Sequence, residues 1–265
     1  MNFNIEFITI EIILNFFLVM TRIAGVMLTM PILSKGQIPA QYKIGLSIML
    51  GTLLYSNAMS NSSSLLPLEG WHLFAGLFCE LAIGYFIGFF FSVVFDAIAT
   101  MGQLASMQMG QSTATLFDPT VQAQLSPMAN LLVFIANFVF MQANGFYIVL
   151  FILSKSYEIF PINKFEVDIG LLMSQFLPLF GKIFLYALEL CLPFVGILLV
   201  LDLFTTLISK ILPQASMFFL IMPLKLIFGA VLLSMMLGNY WVSMDAFFTD
   251  KLMDYFDEFF MGTKA

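Results

Sequence analysis

Long apolar runs constrain this chain more than any other feature of its sequence. A helix needs about 20 mostly apolar residues to cross the hydrocarbon core of a bilayer. Six runs reach about that length: residues 7–33, 40–59, 71–100, 128–153, 171–208 and 217–242. Because lipid cannot pair with backbone N–H and C=O groups, such runs form helices. The sequence therefore predicts an all-α integral membrane protein with about six hydrophobic helical spans.

The composition excludes several other classes of protein. Charged residues make up only 10% of the 265 positions and hydrophobic residues 61%, whereas soluble domains carry about 25% charged residues. Acids outnumber bases by 16 to 10 and no basic patch is present, so a nucleic-acid partner is not expected. The first run follows Glu6 and no basic segment, which predicts a retained helix rather than a secretory signal.

Few residues are suited to catalysis or metal binding. The two cysteines, Cys79 and Cys191, lie far apart in apolar runs, and the single histidine, His72, follows Trp71. We interpret the cysteines as buried thiols and the Trp-His pair as an interfacial anchor. A metal site needs several converging ligands, and no HExxH or GxSxG motif occurs. We therefore expect no cofactor, no metal and no enzymatic activity.

Two prolines interrupt the fifth run, which is too long for one straight span. Pro178 and Pro193 each lack a backbone donor, and a proline inside a helix kinks or breaks it. In a bilayer, such breaks persist only against protein or a water-filled cavity. We therefore expect kinked and broken spans that pack against neighbouring helices.

Small and polar residues form a row along the third run. They follow one another at i+4 spacing: Gly76, Glu80, Gly84, Gly88, Ser92, Asp96 and Thr100. Residues at this spacing share one side of a helix, and small residues there allow another helix to approach closely. The row therefore predicts a packing seam.

Ionisable residues inside the apolar runs leave two interpretations open. Besides the acids of the third run, they are Arg22, Lys182, Glu189, Asp202 and Lys225. Such groups are costly in lipid and face protein, water or a counter-charge. They could couple ions in a secondary transporter, with Glu80, Asp96 and Glu189 as the carboxylates. Alternatively they pair internally, for instance Arg22 with Glu80, and fix the helix register. The absence of two half-repeats favours pairing.

The segment 102–127 is long and polar, yet Asp118 is its only charged residue. Uncharged polar groups tolerate a protein-lined cavity better than charges do, and methionine and phenylalanine there form a deformable seal. The segment is therefore either a plug in a channel or a simple connector. We divide the chain into a helical membrane domain, 1–242, which contains this segment, and a C-terminal part, 243–265.

The C-terminal part has a helical pattern of its own. Aromatic residues and Leu252 recur at helical spacing between residues 247 and 260, and aspartates and Glu258 fill the opposite face. This predicts an amphipathic helix with an anionic face. Helices on membrane surfaces usually carry lysine and arginine instead. A groove on a partner protein is therefore the preferred docking site, with the membrane surface as the alternative.

Several different short motifs follow one another along nearly the whole chain. Arg22 and Gly25 precede Pro31 and Pro39, MQMGQSTATLFDP occupies residues 107–119, and Asn144 and Gly145 follow. Ala187, Pro193 and Asp202 then precede LISKILPQASMFFLIMPLKLIFG at residues 207–229. In this order they resemble the motifs of the FliR/SctT family, a membrane component of the type III secretion export apparatus. Each motif alone is weak, and their order makes the resemblance specific.

The resemblance implies a function as well as a fold. It implies a hetero-oligomeric helical assembly with FliP-like, FliQ-like and FlhB-like subunits in the bacterial inner membrane, at the flagellar basal body. This assembly would form the gate through which unfolded substrates are exported. An injectisome homologue and the secondary transporter remain as alternatives. Lysine counting leaves the orientation open, whereas the resemblance implies that residues 34–39 and 210–214 face the cytoplasm.

Two sets of candidate residues result. The plug or gate set comprises Met107, Met109, Gly110, Thr113, Leu116, Phe117, Asp118 and Pro119. The helix-packing and assembly set comprises Arg22, Gly25, Glu80, Gly84, Gly88, Asp96, Pro193, Asp202, Pro213, Gln214, Pro223 and Lys225.

Overall fold

Helices account for nearly all of the chain that the computed structural model describes, which is residues 3–34, 39–60, 70–111, 126–162, 169–211 and 217–262. No strand occurs among these residues. In chain order the helices are α1 (Phe3–Thr29), α2 (Pro31–Ser34), α3 (Ala40–Ser60), α4 (Gly70–Gln108), α5 (Pro127–Gln142), α6 (Gly145–Ile159), α7 (Ile169–Ile211), α8 (Met217–Ala246) and α9 (Leu252–Gly262). A π-helical segment, Phe247–Lys251, joins the last two.

Four segments of the described chain are long and apolar enough to span a membrane. They are Ile12–Thr29, Leu73–Gln108, Leu177–Ile208 and Pro223–Phe259, and the bent pair of α5 and α6 makes a fifth if it is counted as one span. The predicted all-α membrane fold is confirmed. The number of spans is lower than the expected six or so, because α3 carries polar residues such as Lys43 and Asn57 and does not qualify.

The break between α5 and α6 has a local cause. Asn144 adopts a left-handed conformation with φ of 56°, which asparagine tolerates better than most residues. The ring of Phe140 fills the space where a Cβ at Gly145 would lie, so only glycine fits there without a shift. At the other end of α5, the Ser126 hydroxyl accepts a 3.2 Å hydrogen bond from the amide of Ala129 and caps the helix. The Asn-Gly pair therefore ends one helix and begins the next.

Of the kink or break that was expected in the fifth run, the break does not occur. Helix α7 passes without interruption through both Pro178 and Pro193, and α8 likewise contains Pro223. Each proline removes one backbone donor, but breaking the helix would leave more backbone groups unpaired in lipid. A continuous helix is therefore the cheaper arrangement.

The chain divides into two compact units. Unit 1 comprises Met1–Val93, Phe146–Phe180 and Met253–Ala265, and unit 2 comprises Val94–Gly145 and Gly181–Leu252. In unit 1, α1 packs against α3 and against the first half of α4. In unit 2, a buried cluster of Ala105, Met109, Met128, Phe194, Leu198 and Tyr240 joins α4, α5, α7 and α8.

Aromatic residues of the C-terminal part are buried within the chain itself. In unit 1, the ring centroid of Phe256 lies 4.2 Å from that of Phe90, and the Phe259 centroid lies 5.6 Å from that of Phe86. In unit 2, the Phe248 centroid lies 5.2 Å from that of Phe140. These buried aromatics confirm the predicted amphipathic pattern. The chain's own helices cover this face, so the expected docking into a partner's groove is not what buries these side chains.

Candidate functional site

A fully buried arginine organises the polar interior of unit 1. Arg22 of α1 is 0% exposed, and its Nε donates to Glu80 Oε2 of α4 at 2.6 Å. The two terminal nitrogens donate to Ser156 Oγ of α6 at 3.1 Å and to the carbonyl of Phe160 at 2.8 Å. The guanidinium also lies 4.1 Å from the ring centroid of Tyr157. One side chain therefore connects α1, α4 and α6.

This network shows that Glu80 is paired within the chain. The residue is 4% exposed and in contact with a fixed guanidinium, and a buried charge is tolerated when it is paired and hydrogen-bonded. The expected pairing of Arg22 with Glu80 is confirmed. Since the carboxylate is committed to this ion pair, its position favours a structural role over exchange of ions.

Close contact between α1 and α4 surrounds the ion pair. A Cβ added at Gly84 would lie 2.8 Å from the carbonyl carbon and 3.0 Å from the Cα of Arg22. A Cβ at Gly25 would lie 2.6 Å from the Leu81 oxygen, and one at Gly88 would lie 2.6 Å from the Val26 oxygen. Backbones this close leave no room for a side chain. The predicted packing seam is confirmed for this part of α4.

The seam does not extend to Asp96 and Thr100, whose side chains are exposed. An α-helix turns by about 100° per residue, so each step of four residues overshoots a full turn by about 40°. Four such steps separate Glu80 from Asp96, which amounts to about 160°. The two carboxylates therefore face nearly opposite sides of α4.

A second ion pair lies within the spans of unit 2. Lys225 Nζ of α8 contacts Asp202 Oδ1 of α7, and the side chains are 20% and 30% exposed. Both residues belong to otherwise apolar segments, where a charge requires a partner. The pair therefore fixes the register of α7 against α8. Pro193 and Pro223 are exposed on these helices, whereas Pro213 and Gln214 lie outside the described residues.

The end of α4 fixes the start of the predicted plug. Gly110 has φ of 77° and donates to the Met107 carbonyl at 3.1 Å, while Gln111 donates to the Ser106 carbonyl at 3.0 Å. This hydrogen-bond pattern is the glycine-dependent Schellman stop of a helix. Gly110 is therefore required by the backbone at the point where the segment leaves the helix.

The two methionines of the predicted plug differ in environment. Met107 is 61% exposed, whereas Met109 is 3% exposed and packs against Gly229 and the unit 2 core. Met109 is therefore part of the unit 2 core, and its role in a seal stays a prediction. The remaining plug residues, Thr113, Leu116, Phe117, Asp118 and Pro119, lie outside the described residues.

Sequence reasoning missed several polar contacts in unit 1. Two of them are the contacts of Arg22 with Ser156 and with the Phe160 carbonyl. In addition, Lys155 of α6 forms an ion pair with Asp257 of α9, and Asn57 of α3 donates a hydrogen bond to Ser154 of α6. The signal was the polar run 154–158 at the end of an apolar run. In the described part of the chain, no three His, Cys, Asp or Glu side chains are grouped so as to hold a metal.

Comparison with known proteins gives a consistent family. Residues 13–250 match the family described as bacterial export proteins, family 1. The flagellar biosynthetic protein FliR of Pectobacterium carotovorum subsp. carotovorum is 28% identical over 226 residues, 84% of each chain. FliR of Buchnera aphidicola subsp. Acyrthosiphon pisum is 30% identical over 224 residues, 84% of this chain and 85% of that protein. FliR of Bacillus subtilis is 26% identical over 227 residues, 84% and 86%. The chain therefore belongs to bacterial export protein family 1, the family of the flagellar biosynthetic protein FliR.

Proposed function

We propose that this protein is a core subunit of the flagellar type III protein export gate. It would form part of the channel for unfolded substrates, and segment 102–127 would close that channel. The observation that carries the proposal is the match to the FliR family over residues 13–250. The described part of the chain also contains four or five segments that are long and apolar enough to span a membrane. The relatives compared above are flagellar proteins, which favours a flagellar role over an injectisome.

The distribution of buried surface supports function within a larger assembly. Only 28% of the α7 span and 11% of the span beginning in α8 are buried within the chain, against 44% for the spans of α1 and α4. Glu189 lies exposed in the α7 span, with the exposed Leu185 and Leu192 on the same side. A carboxylate at this depth faces protein or water rather than lipid. Neighbouring subunits or an aqueous lumen on this side would meet that requirement.

The proposed neighbours are FliP-like and FliQ-like subunits, with an FlhB-like subunit at the cytoplasmic side of the bacterial inner membrane. A co-purification experiment tests this arrangement directly. The full-length chain, expressed with these subunits and solubilised in mild detergent, should be recovered with them in one complex. Recovery of the chain only as a separate monomer, from membranes in which all the subunits are present, would refute the proposal.

The gate role of the segment rests on its composition and its starting point. Between Gly110 and Ser126 the segment is rich in glutamine and threonine, and Asp118 is its only charge. Such a lining suits a passage for chains of any sequence, because it offers neither fixed charge nor strong hydrophobic attraction. Met107 is exposed at the base of the segment, and Leu116 and Phe117 are adjacent bulky apolar residues within it.

A loop deletion tests the gate. Residues 112–125 are replaced by a short Gly-Ser linker in cells that express the complete export apparatus, and dye uptake and growth are measured. The deletion should increase permeability, while Leu116→Ala/Phe117→Ala should leak less, because the backbone still obstructs the path. Co-purification with the partner subunits provides the control for assembly. A deletion complex that assembles at normal yield in cells that stay impermeable would show that another element closes the channel.

A further inference from the structure

Unit 1 contains an apolar pocket that the export function does not require. Its volume is about 330 Å³, and it lies between α1, α3 and α6. The lining includes Ile23 and Met30 of α1, Leu46 and Leu50 of α3, and Val149 and Leu153 of α6, and every lining residue is apolar. Protein interiors leave few voids larger than a water molecule. An apolar pocket of this size therefore has room for an apolar ligand.

The pocket is closed on one side and open on the other. Ile23, Met30 and Leu153 are at most 1% exposed and form its floor. Leu50 is partly exposed and Phe146 is 41% exposed, so the opening lies between α3 and α6. The outer surface of α3 next to this opening is itself apolar, since Leu53, one turn beyond Leu50 on the same side of the helix, is 65% exposed. The pocket therefore opens onto a surface suited to lipid rather than to water.

Water is a poor occupant for this pocket. A buried water needs two to four polar partners, and an apolar cavity of about 150 Å³ stays dry and binds a benzene-sized hydrocarbon. The hydroxyl of Ser47, which follows the lining residue Leu46 in the sequence, already donates to the Lys43 carbonyl at 2.8 Å and lies 3.2 Å from Met27 Sδ. A pocket of about 330 Å³ is therefore suited to a longer hydrocarbon.

A lysine lies on the same face of α3 as the lining residues, near the N-terminal end of the helix. Lys43, Leu46 and Leu50 are spaced i, i+3 and i+7, so they lie on one side of α3, and Lys43 is only partly exposed. Two of these residues line the pocket and the third places a cation about one helical turn away. A ligand that places an anionic headgroup beside Lys43 and a hydrocarbon chain beside Leu46 and Leu50 would be an anionic lipid.

We propose that this pocket binds an acyl chain of a membrane phospholipid, and that Lys43 attracts the lipid's anionic headgroup. The proposal does not depend on the export function, because the pocket lies entirely within unit 1. Bound in this way, the lipid would fill the space between α1, α3 and α6. It would also couple the packing of α3 to the lipid composition of the membrane.

Native mass spectrometry of the full-length chain, purified with its partner subunits in mild detergent, tests the proposal. The wild type should retain one phospholipid per chain. Val149→Phe fills the pocket and should lower retention roughly tenfold, as expected if crowding costs a little over 1 kcal/mol. Ile48→Phe, which adds the same ring on the exposed face of α3, is the matched control and should retain the lipid. Lys43→Gln should keep an acyl chain bound but lose the preference for phosphatidylglycerol over phosphatidylcholine.

A second measurement uses the wild-type protein alone, in case Val149→Phe fails to fold. Phosphatidylglycerol with a photoreactive group near the end of one acyl chain is incorporated into membranes that contain the complex, and the crosslinked peptides are sequenced. Crosslinks should fall on Ile23–Met30 of α1 or on residues 146–153 of α6. Crosslinks confined to the outer faces of the helices would overturn the proposal. A wild-type chain that retains only detergent, or equal retention by Val149→Phe and Ile48→Phe, would do the same.

Discussion

Arg22→Met removes the buried guanidinium of unit 1 and leaves an unbranched apolar side chain in its place. The substitution deletes the ion pair with Glu80 and the hydrogen bonds to Ser156 and to the Phe160 carbonyl. It also leaves the Glu80 carboxylate, which is 4% exposed, without its cation. Glu80→Met is the mirror experiment, since it leaves Arg22 charged and 0% exposed. The double variant removes both charges together.

The structure sets the order of these effects. Removing one partner of a buried ion pair costs about 3–5 kcal/mol, because the other charge is left uncompensated. Arg22 also pairs two further acceptors, so we expect Arg22→Met to reduce the free energy of unfolding by about 4 kcal/mol. The double variant leaves no buried charge and loses mainly those two hydrogen bonds, about 1–2 kcal/mol in total. The coupling energy between the two positions should therefore be about 3 kcal/mol or more.

The assay is unfolding of the full-length chain in mixed micelles by increasing SDS, followed by the fluorescence of Trp71 and Trp241. Arg22→Lys serves as the conservative control: it keeps the charge but loses the planar fork that reaches three acceptors, so its stability should be intermediate. Single variants that each cost less than about 1 kcal/mol, or a double variant that costs the sum of the singles, would refute the argument that a coupled buried pair holds α1 to α4.

Two further substitutions examine the helix contacts. Gly84→Ala places a methyl group against the backbone of Arg22 and should destabilise unit 1 by about 1–3 kcal/mol. Gly45→Ala, with open space around its Cβ, should be neutral or stabilise the chain by up to about 1 kcal/mol, because alanine favours the helix over glycine; equal effects of the two in the same SDS titration would contradict the seam. Lys225→Met should cost only about 1–2 kcal/mol, less than Arg22→Met, because its partner Asp202 is 30% exposed. A larger loss for Lys225→Met than for Arg22→Met would show that partial exposure does not soften the penalty.

Features encoded locally could be predicted from the sequence. The apolar runs gave the helices, because backbone pairing in lipid leaves few alternatives to a helix. The Arg22–Glu80 contact was also predictable, since one arginine and a few acids within apolar runs offer few pairings. In both cases the deciding energy acts within one helix or between two charges. The break at Asn144 was not predicted, because residues 128–153 were expected to form one continuous run, although asparagine accepts the left-handed conformation found there.

Features that depend on three-dimensional neighbours could not be predicted. The i+4 row on α4 drifts around the helix, and the sequence does not show at which residue the row leaves the seam: Glu80 is buried and Asp96 is exposed. The sequence predicts that Met109 lies in the seal together with Met107, because both belong to one polar segment. Its burial depends on Gly229, a residue far along the chain that leaves room for its side chain. A sequence pattern does not show which distant small residue lies opposite a large one.

The glycines in the spans differ in their surroundings, and the sequence alone does not show this difference. Some of them contact a neighbouring element, so that an added Cβ would clash with it: Gly84 and Gly88 on α4, and Gly229 on α8. Others have nothing within 4 Å of an added Cβ: Gly181 and Gly196 on α7, and Gly238 on α8. All of these residues lie in apolar runs, so the sequence does not distinguish them. Lipid tails are as apolar as leucine, and association of helices in a bilayer relies on close backbone approach at small residues. The open glycines lie on the two helices that the chain itself buries least. Their substitution by leucine should therefore leave the isolated chain as stable as before, while weakening its recovery in the export complex.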